Sequence, residues 1–243
     1  MKNYIFILFG CTIAYQFLIL GISGARRLNA CRDKDINCFL NVAEDPGRCS
    51  KDDFITENCL KACHLCNNNT IIPPEYDLLN VPPNLRKVAF LIGKWRSEFG
   101  GKVDFPTIPI FTYGEELDFR ICNLKTRPSL NYTAFAWDAY DKDELHTENG
   151  YVTANNNGTN VALTTVMSNG FATVEEGTYK DNSIEFRLQR IGRVNFSRDL
   201  PVRMTVRSWI LVNETHLESS VVMSTQTHPM ILHTTITYVK IYP

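Results

Sequence analysis

The sequence lacks an excess of basic charge, a second long apolar run and the common hydrolase motifs. Its 243 residues include 25 Lys and Arg against 26 Asp and Glu, giving a net charge of −1. Nucleic acid and anionic membrane surfaces are therefore poor partners, since both attract basic proteins. Beyond the amino-terminal segment, no apolar stretch approaches the roughly 20 residues that a membrane-spanning helix needs. Neither G-x-S-x-G nor H-E-x-x-H is present and Cys122 stands alone, so we do not expect a hydrolase.

The first 25 residues are predicted to be a secretory signal. Lys2 supplies a short basic start, Ile5–Ile22 is almost wholly apolar, and Gly21–Ala25 offers small residues for cleavage. An uncleaved anchor is the alternative, because the apolar run nearly reaches the length of a membrane span. In both cases the rest of the chain would lie outside the cytosol. We therefore expect a secreted, extracellular protein with no membrane span in its mature chain.

Six of the eight cysteines lie between residues 31 and 66. So short a segment cannot bury a sufficient core, and the cluster therefore indicates a disulfide framework. Six cysteines allow many different pairings. The closing pattern Cys59-x3-Cys63-x2-Cys66 places three thiols on roughly one helix face, where each can bind a different remote segment.

This cysteine cluster resembles the ShK toxin-like domain, which also has an early Asp, here Asp35, and the same terminal spacing. We do not expect channel block, because segment 50–58 has an acidic balance and no adjacent Lys-Tyr pair. A haem attachment at Cys63–Cys66 is not expected either, because Asn67 follows in place of histidine. A stapled surface module, with binding of an extracellular protein as its candidate role, is the favoured interpretation. The resemblance implies the disulfides Cys31–Cys66, Cys38–Cys59 and Cys49–Cys63, with Cys122 free.

Five N-x-S/T sequons follow the cysteine cluster. Together with the signal and the cysteines, they predict glycan sites on the surface of a secreted protein. They begin at Asn68, Asn131, Asn157, Asn195 and Asn213.

The rest of the chain predicts a linker and then a β-barrel. Segment 67–83 is polar and then proline-bearing, which indicates a linker between two structurally independent domains. Apolar residues at helical spacing in 85–92 predict a short amphipathic helix. Domain 84–243 is then expected to be mainly β, an up-and-down antiparallel barrel of about ten strands around a cavity. The clearest strands are predicted at Tyr132–Tyr140, Tyr151–Ala154, Val161–Met167, Phe171–Tyr179, Ile184–Leu188, Met204–Val212, Leu217–Thr225 and Thr234–Ile241.

Six motifs stand out between Leu91 and Pro243. They are Gly93-Lys94-Trp95, Phe105-Pro106-Thr107-Ile108, Tyr113-Gly114-Glu115-Glu116, Val174-Glu175-Glu176-Gly177-Thr178-Tyr179, Met223-Ser224-Thr225 and Pro229-Met230-x-x-His233. Together they resemble the nitrobindin-like haem-binding β-barrel family, whose shape is similar to that of fatty-acid-binding proteins and lipocalins. The family opens on G-x-W-x-G-x-G, and here Ser97 and Phe99 replace the second and third glycines.

The resemblance implies haem b as the cofactor, with His233 as the axial ligand of its iron. A neutral imidazole projecting from a strand into an apolar cup suits that role. Lys94 matches a family position that touches the cofactor, where its ammonium would pair with a propionate. Without haem, His233 would be a hydrogen-bonded strand residue and Lys94 a solvated charge, while Trp95 is interpreted as a core plug. Alternation places His233 on one face with Thr235, Thr237, Val239 and Ile241. Surface positions are expected for His146, His216 and His228.

The sequence therefore supports three functional hypotheses. The first is a secreted haem-binding barrel that captures nitric oxide or isomerises peroxynitrite, as the resemblance implies. The second is an extracellular carrier of a fatty acid or another apolar ligand, in which His233 merely lines the cavity. The third is a non-enzymatic interaction protein whose small module binds an extracellular partner.

Overall fold

The computed structural model describes residues 31–66, 72–122 and 127–243. The predicted signal and Asn68 lie outside these ranges. Residues Cys31–Pro243 belong to one compact unit, and the described part of it contains a closed antiparallel barrel of ten strands. The predicted fold class is thus confirmed. The strands are β1 Gly93–Phe105, β2 Ile108–Cys122, β3 Ser129–Asp138, β4 Glu144–Ala154, β5 Asn160–Met167, β6 Phe171–Lys180, β7 Ser183–Arg193, β8 Val202–Asn213, β9 His216–Thr225 and β10 Ile231–Tyr242.

Each strand of the barrel pairs with the next one in the chain, and β10 closes the ring against β1. Alternation along a strand separates an inner from an outer face. In β3, for example, Leu130, Tyr132 and Ala134 are buried, whereas Thr133 is half-buried and Phe135 is exposed. Because successive hairpins turn at opposite ends of the barrel, the β1–β2, β5–β6, β7–β8 and β9–β10 turns share one end.

A 3-10 helix, Pro83–Leu91, closes the other end of the barrel. Its apolar residues Leu85, Val88 and Leu91 are fully buried against the strands. Trp95 lies beside it with no exposed surface, and its indole Nε1 donates to the Leu91 carbonyl oxygen at 2.7 Å. The helix therefore forms where the sequence predicts it, and Trp95 is the expected core plug.

The cysteine-rich segment 31–66 forms three short helices, α1 Cys38–Glu44, α2 Arg48–Lys51 and α3 Asp53–Asn58. The Asp52 side chain caps α3 by accepting a hydrogen bond from the Ile55 amide. Cys122 has a free, half-buried thiol. Three disulfides join the pairs that the toxin-like resemblance implies: Cys31–Cys66, Cys38–Cys59 and Cys49–Cys63.

The small module and the barrel are packed together, and the expected structural independence of the two parts stays a prediction. Helix α1 has two apolar faces. Cys38 and Val42 face the core of the module, whereas Phe39 and Ala43 belong to the hydrophobic cluster of the barrel. The Phe39 ring lies 5.7 Å from that of Phe90 in the 3-10 helix. The module therefore docks against the closed end of the barrel.

The described part of the predicted linker, 72–83, also contacts the barrel. The Tyr76 hydroxyl donates to Asp118 Oδ1 at 2.9 Å, and its ring meets that of Tyr242 edge-on at 5.0 Å. The Glu75 carbonyl oxygen accepts from the Ile121 amide at 2.7 Å. These contacts bind the segment to the outer face of β2 and the end of β10. Within the described ranges, no helix has the length and hydropathy required to cross a membrane.

Candidate functional site

The barrel encloses a cavity of about 580 Å³ that opens between the turns at the end opposite the 3-10 helix. This volume falls within the range of ordinary small-molecule sites. Apolar walls and a small set of polar side chains line the cavity. The aromatic and polar lining residues include Phe105, Tyr113, Glu115, Tyr132, His146, Glu148, Glu175, Arg198, Thr205, Arg207, Trp209, His233 and Tyr238.

His233 lies on the wall of this cavity, close to its mouth. Its ring meets the Phe105 ring edge-on at 5.1 Å, which fixes its orientation. Nδ1 is buried and has no hydrogen-bond partner among the described residues. Burial lowers the pKa of the imidazole below its usual value, so the neutral form carries a free lone pair. These are the properties of a ligand for a metal ion or haem iron.

A bulge in β10 explains why His233 faces inward, and the expected neighbours on its face are wrong. Leu232 pairs with Val222 and Thr234 with Val221, so His233 is the extra residue in β10. The bulge shifts the alternation by one position. Thr234 and His233 both line the cavity, and the strand residues that follow inward are Ile236 and Tyr238. Of the expected companions, Thr237, Val239 and Ile241 are exposed outside the barrel.

His146 also lines the cavity, which corrects its expected surface position. Its Nε2 lies 3.2 Å from Glu148 Oε1. Burial lowers the pKa of the ring, but the hydrogen bond and the charge of Glu148 outweigh burial and raise it. His146 is therefore held by a carboxylate, unlike His233. His216 and His228 bond to neighbouring residues at turns and do not line the cavity.

An ion cluster forms the deeper polar wall of the cavity. Arg207 Nη2 lies 3.1 Å from Glu148 Oε1, and its Nε lies 3.3 Å from Glu175 Oε2. The Tyr132 hydroxyl donates to Glu148 Oε2 at 3.0 Å. Burial opposes ionisation of Glu148, but Arg207 and then His146 outweigh it and hold its pKa at about 2. The guanidinium thus bonds to two carboxylates through Nε and Nη2.

Glu115 is the carboxylate of the cavity that lacks a cationic partner. It accepts a hydrogen bond from the Tyr238 hydroxyl at 2.5 Å. No Lys, Arg or His nitrogen of the described residues lies within ion-pair distance of it. Burial raises its pKa to about 7. Near neutral pH the carboxyl is therefore poised between its protonated and ionised forms.

Lys94 is not part of this site. Its Nζ lies 3.6 Å from Asp118 Oδ2 and 3.8 Å from Glu116 Oε1, and Lys94 does not line the cavity. The cause is alternation in β1, because the next residue, Trp95, points into the core. The cation that the structure places at the cavity mouth is Arg198, in the β7–β8 turn.

The altered opening motif does not obstruct the cavity. Phe99, at a position where the family has glycine, is 67% exposed and does not line the cavity. Ser97 accepts a hydrogen bond from the Gly100 amide at the irregular turn of β1. Gly101 still lets the β1 backbone pass close to the Tyr113 ring, because a Cβ at this position would lie 2.6 Å from that ring. The substituted side chains therefore lie on the outer surface.

The ion cluster and Glu115 were not among the predicted site residues. The sequence does contain a pattern that could have indicated inward carboxylates, because Glu115-Glu116 and Glu175-Glu176 are adjacent pairs within strands. Alternation must turn one member of each pair inward. Which member points inward depends on the register, which the sequence does not specify.

The fold and the site define a class of protein: a closed β-barrel with an internal ligand cavity and an unpaired neutral histidine at its mouth. Residues 84–240 match the model of the THAP4-like, heme-binding beta-barrel domain. This match covers more than half of the chain, and the chain belongs to that family. Haem is therefore the cofactor of the barrel, as the sequence motifs imply.

Curated relatives agree with the assignment. The chain is 44% identical to an uncharacterized protein of Caenorhabditis elegans, over 96% of this chain and 80% of that protein. It is 30% identical to a peroxynitrite isomerase of Arabidopsis thaliana, over 63% and 86% of the two chains. It is 28% identical to the peroxynitrite isomerase THAP4 of Rattus norvegicus, over 71% of this chain. The aligned region is 30% of that rat protein, so the likeness concerns one part of it.

A solved structure supports the same fold. The crystal structure of Rv2717c from M. tuberculosis superposes with a TM-score of 0.57 and 27% sequence identity. The match covers 66% of this chain and 98% of that chain. The additional residues of this chain include the disulfide-linked module.

Proposed function

We propose that haem binds at the mouth of the barrel with His233 as its axial ligand. The observation that carries this proposal is the neutral imidazole on the cavity wall, which hydrogen-bonds to no described residue. Nδ1 is buried, so a metal would be bound through Nε2. The neutral ring would then carry its proton on Nδ1. When bound, haem would supply the iron chemistry with nitric oxide or peroxynitrite, and His233 would hold it.

The other residues of the mouth orient and shield this site. Phe105 packs against the edge of the His233 ring and excludes water from one side of it. The bulge in β10 places the imidazole on rigid backbone, as a preorganised ligand requires. Arg198 takes the role first assigned to Lys94, since its guanidinium is suited to pair with a haem propionate at the cavity mouth.

We further propose a peroxynitrite isomerase-like activity or the capture of nitric oxide. The support is membership in the haem-binding family together with relatives named peroxynitrite isomerase in Arabidopsis thaliana and Rattus norvegicus. The apolar walls of the cavity shield a reactive centre from bulk water.

Hemin titration of the purified full chain tests the ligand assignment. The unmutated protein should give a saturable Soret band, and His233→Ala should abolish or strongly shift it. His228→Ala is the matched control, because that ring lies in the neighbouring turn and bonds to Thr227 Oγ1 at 2.9 Å. A Soret band unchanged in His233→Ala would mean that another group binds the iron. The absence of any hemin-dependent band in the unmutated protein would refute the haem proposal.

The charges of the deep wall disfavour a fatty acid whose carboxylate would enter the barrel. A carboxylate ligand needs an unpaired cation or several donors inside the barrel. Arg207, the cation of the deep wall, already bonds to Glu148 and Glu175. Adding a third carboxylate to this cluster would leave an uncompensated negative charge in a buried site. The hypothesis that the small module binds an extracellular protein stays a prediction.

We also propose that the chain is secreted and glycosylated. Three disulfides support this, because such bonds persist in oxidising compartments. Two of the sequon asparagines, Asn157 and Asn195, are exposed on the turns where a glycan fits. Expression in secretory cells, followed by endoglycosidase treatment of the medium, should give a protein that loses mass on a gel. A chain found solely in the cytosol, with no such loss, would contradict the proposal.

A further inference from the structure

The side chains that face the cavity carry an excess of negative charge. Three carboxylates, Glu115, Glu148 and Glu175, face one guanidinium, Arg207, and one imidazole, His146. Even with the imidazole protonated, three negative charges meet two positive ones. At the mouth, Arg198 and Asp199 have opposite charges and do not change this balance. The ionised cavity is therefore one positive charge short of neutrality.

The unbalanced negative charge belongs to Glu115, because Glu148 and Glu175 each pair with Arg207. The groups that face this carboxyl are Tyr113 from its own strand, Tyr132 from β3, Glu148 and His146 from β4, Arg207 from β8 and Tyr238 from β10. Tyr238 is the hydrogen-bond donor to it, while Arg207 and His146 bond elsewhere. A buried carboxylate without a cation is costly unless a ligand supplies one.

The aromatic lining of the cavity indicates the kind of ligand. The rings of Tyr113, Tyr132 and Trp209 line the space, and aromatic faces attract cations. No group of three metal-ligating side chains was found in the described part of the chain. An organic cation with an apolar body therefore fits better than a bare metal ion.

We propose that the interior of the barrel is a binding site for a monocationic amine with an apolar body, whose ammonium group pairs with the Glu115 carboxylate. The amine donates hydrogen bonds to this carboxylate, and its apolar part packs against the aromatic wall. This inference goes beyond the haem proposal and does not depend on it.

Calorimetric titration of the full chain with three matched indoles tests the proposal. Tryptamine, tryptophol and indole-3-propionate share one ring system and differ in charge. Tryptamine should bind about tenfold or more tighter than tryptophol, the advantage expected of a charged hydrogen-bonded pair. Indole-3-propionate should bind weakest. The preference for tryptamine should increase as the pH rises through about 7, where Glu115 ionises.

Glu115→Gln should remove the preference for tryptamine, while Glu116→Gln should retain it. Glu116 is the adjacent residue, but it faces outward and bonds to Arg96 at 2.9 Å. Equal affinities of tryptamine and tryptophol in the unmutated protein, with and without hemin, would overturn the proposal. So would a preference that persists in Glu115→Gln. The Soret experiment reports on haem alone, so the two proposals fail separately.

Discussion

At the scale of single residues, two glutamates in one cavity differ because their partners differ. Glu148 meets Arg207 and His146, and its pKa is held at about 2. Glu115 meets no cation, and burial raises its pKa to about 7. The first glutamate stabilises the fold above its unfolded pKa. The second contributes stability that is lost as the pH rises through about 7, because ionisation is then forced on a buried group.

Glu115→Gln should stabilise the protein at alkaline pH. The amide keeps a hydrogen-bond acceptor for Tyr238 and removes the ionisation. The gain should be on the order of 1–3 kcal/mol at pH 8 and should shrink towards pH 5, where the glutamate is protonated in the folded chain. Thermal unfolding of both proteins at several pH values measures it. A melting-temperature difference independent of pH would show that Glu115 does not titrate in this range.

Arg207→Met should strongly destabilise the barrel. The change leaves Glu148 and Glu175 buried without their shared cation, which costs about 3–5 kcal/mol. Arg187→Met is the matched control, because its pair with Glu185 is exposed and should contribute less than about 1 kcal/mol. Urea unfolding near neutral pH compares the two variants. Similar losses in both would mean that the cluster is not the structural element we describe.

At the scale of elements, local sequence patterns predicted where the strands lie better than they predicted which side chains face the cavity. Alternating apolar residues and turn signals locate the later strands, because both are local properties of the chain. The side that His233 faces depends on one inserted residue in β10 relative to β9. Such a bulge is a property of the pairing and leaves little trace in the sequence. The expected inward direction of His233 therefore agrees with the structure, whereas the side chains expected beside it on that face lie outside the barrel. Its role as a haem ligand stays a prediction.

Gly93 of the opening motif shows why a strand can require glycine. Its φ is 124°, and an added Cβ would collide with the Tyr242 carbonyl oxygen of β10. Gly93→Ala should therefore lower stability by about 1–3 kcal/mol. In Gly192→Ala the new Cβ would meet Ala172 at ordinary contact distances of 3.9–4.0 Å, with little loss. Melting temperatures of the two variants test this difference, and equal values would contradict the role of Gly93 at the β1–β10 seam.

At the scale of the whole molecule, composition predicted two parts but not their contact. The change from cysteine-rich to cysteine-poor sequence coincides with the change from short helices to strands. It does not reveal that α1 has a second apolar face. Phe39 and Ala43 are four residues apart and pack outward onto the barrel, while Cys38 and Val42 serve the module. In a helix of 7 residues, the sequence does not distinguish two apolar pairs that face different cores from a single small core.

The contact between the parts predicts that the module remains bound after the chain is cut. A protease site engineered between residues 67 and 71 should give a nicked protein that elutes as one species on gel filtration. The reason is the shared core, in which Phe39 is 8% exposed and packs on Phe90. Phe39→Ala should weaken the docking by about 3 kcal/mol or more and let the nicked module separate. Phe54→Ala, at a position that is 53% exposed, is the control and should leave the nicked protein intact. If the unmutated module separates after cleavage, its packing is too weak to bind it, and the two parts are independent in solution.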